Sequence, residues 1–457
     1  MEKVLLKEVV NIVNGKVVAG KELLDKTISS VITDSRRKTK NGLFVAIKGE
    51  NTDGHKYIEM AKENGAIATI ISYELEEYLE DMVYILVEDT LKALKEFATA
   101  YRSKFNIPIV AITGSVGKTT TKDMIASVLS GKYNVLKTEG NFNSEIGVPL
   151  TALNLMSNHE IAVIELGMDH VGEIYGTSKI VKPDTAVYTN IGIAHIEHLK
   201  SRENILKAKC EMFENMKENA LLILNADDDM LVTINNSMEK VWYGKAQASD
   251  VKLLNTEVEY NKGVVIANVL IKGEEFTLEI PGLSEHLVYA ALPAICVGLK
   301  YNVEIKDILE GIKNYTPTKM RMDIKALDNN ILLIDDTYNA NPTSMKSLID
   351  TISKADKKNK IAILGDMFEL GEDSIKLHTE VIQYAVDKDL TNIIVVGNNM
   401  EQAVKGVKNN TVVQVFSTKE ELYEKLKSII VPNSIIGIKA SRGMKFENIV
   451  EKVIEVI

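Results

Sequence analysis

The stretch Thr113-Gly-Ser-Val-Gly-Lys-Thr-Thr-Thr-Lys122 decides the fold through what stands on either side of it. Ile107-Pro-Ile-Val-Ala-Ile112 before it is an apolar run of strand length. After it, Met124, Ile125, Val128 and Leu129 recur on one helical face. Strand, glycine turn and helix start, in that order, are the setting of a phosphate-binding loop. Gly114 and Gly117 let successive backbone N–H groups face phosphate oxygens with no Cβ in the way. They stand three residues apart, closer than in the G-x-x-x-x-G-K-[ST] form. The cradle is expected from Gly114, Ser115, Val116 and Gly117, continued by Thr119 and Thr120 at the helix N-terminus, where unpaired donors and the dipole favour an anion. Lys118 can reach the β- and γ-phosphates, and the Thr119 hydroxyl can ligate Mg²⁺. The expected ligand is a nucleoside triphosphate.

Outward from this loop the chain falls into three blocks, with expected domains at 1–106, 107–316 and 317–457. The first ends in an amphipathic helix with Leu91, Leu94, Phe97, Ala98 and Tyr101 on one face, broken by Phe105-Asn-Ile-Pro108. In the second, Ile161–Ile164, Thr185–Tyr188 and Leu221–Leu224 read as buried parallel strands. An alternating hairpin follows (Val264–Ile271, then Glu275–Ile280), and then a helix to Gly298. Asn314-Tyr-Thr-Pro-Thr318 reads as a linker, with Tyr315–Thr318 the expected hinge. The third block alternates strands near Ile331–Ile334, Lys360–Leu364, Ile393–Val396, Val412–Phe416 and Ile435–Ile438 with helices, the rhythm of a doubly wound sheet.

Composition bounds the rest. A chain of 457 residues exceeds one core, and 45 % apolar with 26 % charged residues is ordinary for a globular protein. A formal charge of −10 with no basic tract argues against a nucleic-acid partner. No apolar run approaches the roughly 20 residues of a membrane span, and Met1–Gly15 lacks a signal-peptide core. The two cysteines, Cys210 and Cys296, have neither disulfide nor metal-ligand spacing. A cytoplasmic monomer that does not insert into membranes is the expectation.

Other residues carry possible chemistry. Glu165 ends a strand at the sheet edge where open α/β sheets place ligands, and suits Mg²⁺ as well as plain solvent. His195, in Asn190-Ile-Gly-Ile-Ala-His195, can ligate a metal, contact phosphate or cap its loop. Its spacing to His198 is that of a zinc pair without further ligands nearby. Lys207 and Lys209 read as a solvated helix face. Asp335-Asp-Thr-Tyr-Asn-Ala-Asn-Pro-Thr-Ser344 is dense in polar groups at a strand's carboxyl end, although Pro342 and Ser344 serve equally as helix-start residues. Arg321, just past the linker, can swing onto a triphosphate. In the first block, Ser35 and Arg36 can grip a diphosphate.

Together these residues resemble the Mur ligases, ATP-dependent amide synthetases of bacterial cell-wall assembly. The resemblance runs in order through Thr33–Arg36, Phe44–Gly49, Asp53-Gly-His55, the phosphate loop, Asn141–Leu150, Glu165-Leu-Gly167, His195, Lys209, Asp335–Met345, Gly365–Gly371 and Lys439–Glu447. It implies a three-domain α/β architecture: a central ATPase-type parallel sheet carrying the phosphate loop, and a C-terminal Rossmann-like domain. It also implies ligation of D-alanyl-D-alanine to UDP-N-acetylmuramoyl-tripeptide through an acyl phosphate, with ATP and Mg²⁺. Lys118, Glu165, His195 and Lys209 would be catalytic, with Thr119, Glu165, Lys209 and His195 at the metals. Lys209 would be carbamylated. Arg321, Asp336 and Asn339 would contact the nucleotide, and Ser35, Arg36, Lys48, Asn141, Asn143 and Asn341 the substrates. Ser144, Leu287, Ala290, Ala440 and Gly443 depart from the residues usual in the family. Within the fold, a folylpolyglutamate synthase or cyanophycin-type ligase is the rival. A nucleotide-dependent switch is the rival of another class, against which no Asn-Lys-x-Asp motif follows the loop.

Overall fold

The computed structural model describes every residue except Glu50, Asn51, Ala194, His195 and Asn261. The chain divides into two compact units. The first comprises Met1–Thr113, Lys132–Val187 and Ala208–Leu222, the second Gly114–Gly131, Tyr188–Lys207 and Ile223–Ile457.

In the first unit, Ser30–Ile32, Gly42–Val45, Ala66–Ile71 and Val83–Leu86 pair in parallel, and Lys16–Ala19 closes the edge antiparallel to Val83–Leu86. Phe44, Ala46, Ile58, Ile71 and Tyr84 fill the core on one face of this sheet. The expected amphipathic helix is Thr90–Arg102. Asp89 caps it, its carboxylate accepting from the Leu91 and Lys92 amides. Its apolar stripe is buried, as the spacing requires, and the Tyr101 hydroxyl donates to the Leu155 carbonyl at 2.6 Å. The strand Ile109–Thr113 follows and pairs in parallel with Ile161–Glu165, which pairs with Val135–Lys137. Ile109–Thr113 and Ile161–Glu165 are buried along their whole length, whereas the edge strand Val135–Lys137 leaves Lys137 exposed.

The second unit holds the helix Lys118–Ser130, a meander and the third block. The expected hairpin is the later part of a three-stranded antiparallel meander, Val251–Glu259, Val264–Ile271 and Glu274–Pro281. The first of these strands escaped the sequence reading because Asn255, Thr256, Glu257 and Glu259 interrupt its apolar alternation. Helix Val288–Lys300 packs with Ile305–Lys313 against Lys118–Ser130. Two glycines permit the approach: a Cβ on Gly311 would stand 2.6 Å from Val128 Cα, and one on Gly298 3.0 Å from Val128 Cγ1.

The third block is doubly wound, as its rhythm indicates. Its strand order is Asp323–Leu327, Ile331–Asp335, Ser434–Lys439, Asn359–Gly365, Asn392–Val396, Val413–Phe416, all parallel except the first. One apolar layer, with Met345, Leu348, Val381 and Met400, lies on one face. A second, with Leu422, Leu426, Ile449 and Val453, lies on the other. The last strand, Ser434–Lys439, inserts between the first two parallel strands, Ile331–Asp335 and Asn359–Gly365. Such a reversal of strand order opens a crevice at the carboxyl ends of the strands.

Candidate active site

The phosphate loop has the conformation its glycines foretell. Gly114 and Gly117 have φ of +149° and +83°, and a Cβ on Gly114 would sit 1.9 Å from Thr189 Oγ1. Gly117 precedes helix Lys118–Ser130 and, having no side chain, makes no cap bond to its first turn, where phosphate-binding loops place their anion. Around the loop, Asn190 Oδ1 accepts from the Val116 amide at 3.0 Å, its Nδ2 donates to the Val116 carbonyl at 2.9 Å, and Thr189 Oγ1 donates to that carbonyl at 2.7 Å. Ser115 Oγ accepts from the Gly192 amide at 2.9 Å. Thr189 and Asn190 thus shape the loop, a role sequence reasoning missed because it weighed their segment for His195 alone. Lys118 Nζ lies back on the loop, donating to the Gly114 carbonyl at 2.9 Å. Thr119 is buried at the helix start.

Glu165 is 1 % exposed and stands in register with Ile112, two residues before the loop begins. Its Oε1 accepts from Asn143 Nδ2 at 2.6 Å, and its amide donates to Thr138 Oγ1 at 3.0 Å. Gly167 passes so close to Asn143 that a Cβ there would meet its amide carbon at 3.0 Å. Asn143 therefore orients a carboxylate, whereas Asn141 is exposed. Ser144 stands at the approach to helix Gly147–Leu153, its Oγ 3.4 Å from the Gly147 amide.

Lys209 corrects the reading of a solvated face: it is 1 % exposed, near the end of helix Arg202–Cys210. Only a side chain turned inward explains so complete a burial, and a two-residue alternation with Lys207 cannot reveal it. Burial pushes the adjoining Cys210 thiol up to about 12, with Lys209 opposing. His195 lies outside the described residues. Beyond it, Arg202 braces the segment, its Nε donating to the Ile191 carbonyl and its guanidinium pairing with Asp229.

A hard cation such as Mg²⁺ takes oxygen ligands and keeps several water and phosphate partners rather than a protein cage. A hydroxyl such as that of Thr119 and a carboxylate such as that of Glu165 are each oxygen donors of that kind. Among the described residues no group of three or more His, Cys, Asp or Glu side chains forms a metal cluster.

At the third block's crevice, Lys439 at the end of its strand donates to Asp336 Oδ2 at 2.5 Å and to the Asn339 carbonyl at 2.8 Å. Burial lowers the Lys439 ammonium, with Asp336 opposing. Asp336 also accepts from the Met322 amide at 3.1 Å. The Arg321 guanidinium lies 4.1 Å from the Tyr338 ring centroid. Asn341 caps helix Pro342–Lys354 in a reciprocal box with Ser344, with Pro342 in the first turn, so the helix-start reading of these residues holds. A cavity of about 430 Å³ beside the Gly365–Gly371 segment is lined by Glu197, Phe368, Glu369, Glu372 and Asn399. Leu287 and Ala290 are buried apolar residues at the start of helix Val288–Lys300, and Ala440 approaches Gly365 so closely that a Cβ there would meet its methyl at 2.7 Å.

The expected hinge is tied down: Tyr315 is buried and Thr318 Oγ1 donates to Asp123 Oδ2. In the first block Ser35 is buried with its hydroxyl against Met60 Sδ, whereas Arg36 is exposed and paired in two-pronged fashion with Asp34. Lys48 is exposed. Asp53 accepts from His55 Nδ1 at 2.6 Å and from the Tyr73 hydroxyl at 2.9 Å, and Tyr73 stacks on His55.

Comparison with known proteins accords with this geometry. Residues 27–102 match the family described as "Mur ligase family, catalytic domain", 112–298 "Mur ligase middle domain", and 320–442 "Mur ligase, glutamate ligase domain". The chain is 37 % identical to the UDP-N-acetylmuramoyl-tripeptide–D-alanyl-D-alanine ligase of Bacillus subtilis (strain 168), over 100 % of this chain and 99 % of that one. It superposes on MurF from Acinetobacter baumannii with a TM-score of 0.91 and 29 % identity, covering 100 % and 99 % of the two chains. On MurF ligase from Thermotoga maritima in complex with ADP the TM-score is 0.82 at 28 % identity, over 93 % and 97 %.

Proposed function

The chain belongs to the Mur ligase family, and from that premise we propose that it joins D-alanyl-D-alanine to UDP-N-acetylmuramoyl-tripeptide, converting ATP to ADP and phosphate in peptidoglycan precursor synthesis. The single observation that carries this reading is the end-to-end correspondence with the Bacillus subtilis ligase at 37 % identity. The reaction's chemistry explains the parts. A carboxylate does not condense with an amine in water until one of its oxygens becomes a leaving group. Transfer of the γ-phosphoryl makes an acyl phosphate, the amine attacks its carbonyl carbon, and the tetrahedral intermediate expels phosphate. The protein's work is to position three reactants and to spread the charge that moves between them.

The domains proposed are 1–106 for the UDP-sugar, with Ser35, Arg36 and Lys48, 107–316 for ATP, and 317–457 for the incoming dipeptide. Loop amides from Gly114 to Thr120 hold the phosphates, and Lys118 places its charge on the transferring group. Mg²⁺ held by Thr119 and Glu165 would neutralise phosphate oxygens, and a carbamylated Lys209 with His195 would hold a second ion. Asn143 keeps Glu165 in place, and Asn141 faces the acceptor peptide. Arg321, Asp336 and Asn339 approach the nucleotide from the third block. Asn341 touches substrate only through a group its capping bond leaves over. The acidic cavity beside Gly365–Gly371 suits the dipeptide's ammonium. Among the described residues no helix is long and apolar enough to cross a membrane. Cytoplasmic residence is proposed because ATP and the UDP-linked acceptor are found there.

Phosphate release tests the reading, measured with UDP-N-acetylmuramoyl-tripeptides carrying lysine or diaminopimelate, with and without D-alanyl-D-alanine. Release that requires both partners supports a ligase. Release from ATP alone, indifferent to either, supports the switch rival instead.

A further inference from the structure

Helix Lys118–Ser130 carries a second row of contacts that phosphate binding does not explain. Thr120, Asp123 and Ser127 follow at spacings of three and four, and so share one helix face. Tyr315 is buried beside this row, Thr318 Oγ1 donates to Asp123 Oδ2 at 2.5 Å, and Ser127 Oγ donates to the Gly311 carbonyl at 2.7 Å. Asp123 is itself buried, with Lys122 Nζ 3.3 Å from its other oxygen. Residues 311–318 are thereby fastened along two turns of the helix whose first turn is the phosphate site.

The chain changes allegiance immediately afterwards. The Met320 carbonyl accepts from the Tyr338 amide at 3.1 Å, and the Met322 amide donates to Asp336, both in the third block. Met320 and Met322 have φ of +63° and +51°. Left-handed backbone at two bulky residues, one apart, is sparsely populated and persists where surroundings impose it. Between them stands Arg321, stacked on Tyr338.

We propose that Asp123 and Thr318 are positioning residues that hold the linker rigid as far as Thr318, so that the third block pivots at 319–322 and the state of the phosphate loop sets the arc of Arg321. The inference rests on the ligase reading above. A ligand shifts a conformational equilibrium only through contacts that differ between its states. Phosphate at the first turn of the helix meets that condition if the same helix holds the pivot's near end. With the Asp123–Thr318 bond cut, bending spreads over 314–322 and Arg321 loses its defined arc.

The test uses the full-length protein with a non-hydrolysable ATP analogue and Mg²⁺, reading backbone hydrogen exchange across 312–322 in wild type, Thr318→Val and Thr318→Ser. Thr318 is half-buried, so neither change threatens the core. The expected result is slowed exchange on analogue binding in wild type and Thr318→Ser, and none in Thr318→Val. In ligation, Thr318→Val loses about tenfold in kcat, in the range of ordinary coupling energies, with KM for the UDP-peptide unchanged and Thr318→Ser restored. Wild-type kcat in Thr318→Val, an intact analogue response there, or no response in wild type overturns the proposal. Exchange is read without turnover, so failure of the ligase reading would show separately, as phosphate release that ignores the dipeptide.

Discussion

Asn143 holds Glu165 by a 2.6 Å hydrogen bond from Nδ2 to Oε1, within a carboxylate site that is almost wholly closed to solvent. A bond to an ionised acceptor is about twice as strong as a neutral one, and it fixes the orientation of the carboxylate. Partners of this kind around a metal-binding carboxylate are worth about 10–100-fold in metal affinity or activity. Asn143→Ala is therefore expected to raise the Mg²⁺ concentration needed for half-maximal ligation by about tenfold or more. Melting temperature should change by only a few degrees. A Mg²⁺ titration curve superposing on wild type would show that Asn143 merely fills space.

Lys118→Ala should abolish ligation, by about a thousandfold in kcat, because it removes a charge from the transferring phosphoryl group. The side chain donates to the Gly114 and Ser115 carbonyls of the loop, and circular dichroism and melting are expected near wild type. A folded variant with near-normal turnover would remove the phosphate-loop assignment altogether.

His378 gives the third block a pH dependence. Its ring is buried, Nε2 accepts from the Met367 amide at 2.8 Å and Nδ1 donates to the Ser374 carbonyl at 2.7 Å. Burial lowers its pKa below the ordinary 6.5, with the Ser374 bond and Asp366 opposing. The unfolded chain thus takes up the proton first as pH falls through about 6.5. His378 contributes its stability above that pH and loses it progressively down to the folded-state pKa. Wild type should lose a few degrees more of melting temperature than His378→Gln between pH 7.5 and 5.5. Parallel melting curves for the two proteins across this range would refute the assignment.

What the sequence made legible follows from periodicity. Parallel strands such as Thr185–Tyr188, buried on both faces, are short apolar runs, and the helix Thr90–Arg102 shows its stripe and its Asp89 cap. The phosphate loop was legible because its chemistry demands local residues in order. The place of Glu165 at a strand's carboxyl end was legible in the same way. Partners distant in the chain were not: nothing near Asp336 announces Lys439, 103 positions later, and nothing near Asp123 announces Thr318, 195 positions later. The burial of Lys209 depends on what packs over its helix, which spacing within that helix does not encode.

Lys209 gives the last prediction. At the proposed second metal an ammonium would repel the ion, and burying the Lys209 charge carries a heavy desolvation cost. Burial in general favours the neutral amine, the form that adds CO₂. The nitrogen lone pair attacks the carbon, an N–C bond forms, and the nitrogen's proton leaves to solvent. The product is an oxygen-donor anion of the kind Mg²⁺ prefers. Lys209→Ala should lose activity by about a hundredfold or more, and small carboxylic acids such as formate or acetate should restore part of it by placing a carboxylate in the vacated space. Carbon-13 NMR of protein equilibrated with labelled bicarbonate should show a carbamate signal that Lys209→Ala lacks. Normal turnover in Lys209→Ala, or full activity in CO₂-stripped wild type without that signal, would leave Lys209 an ordinary buried lysine.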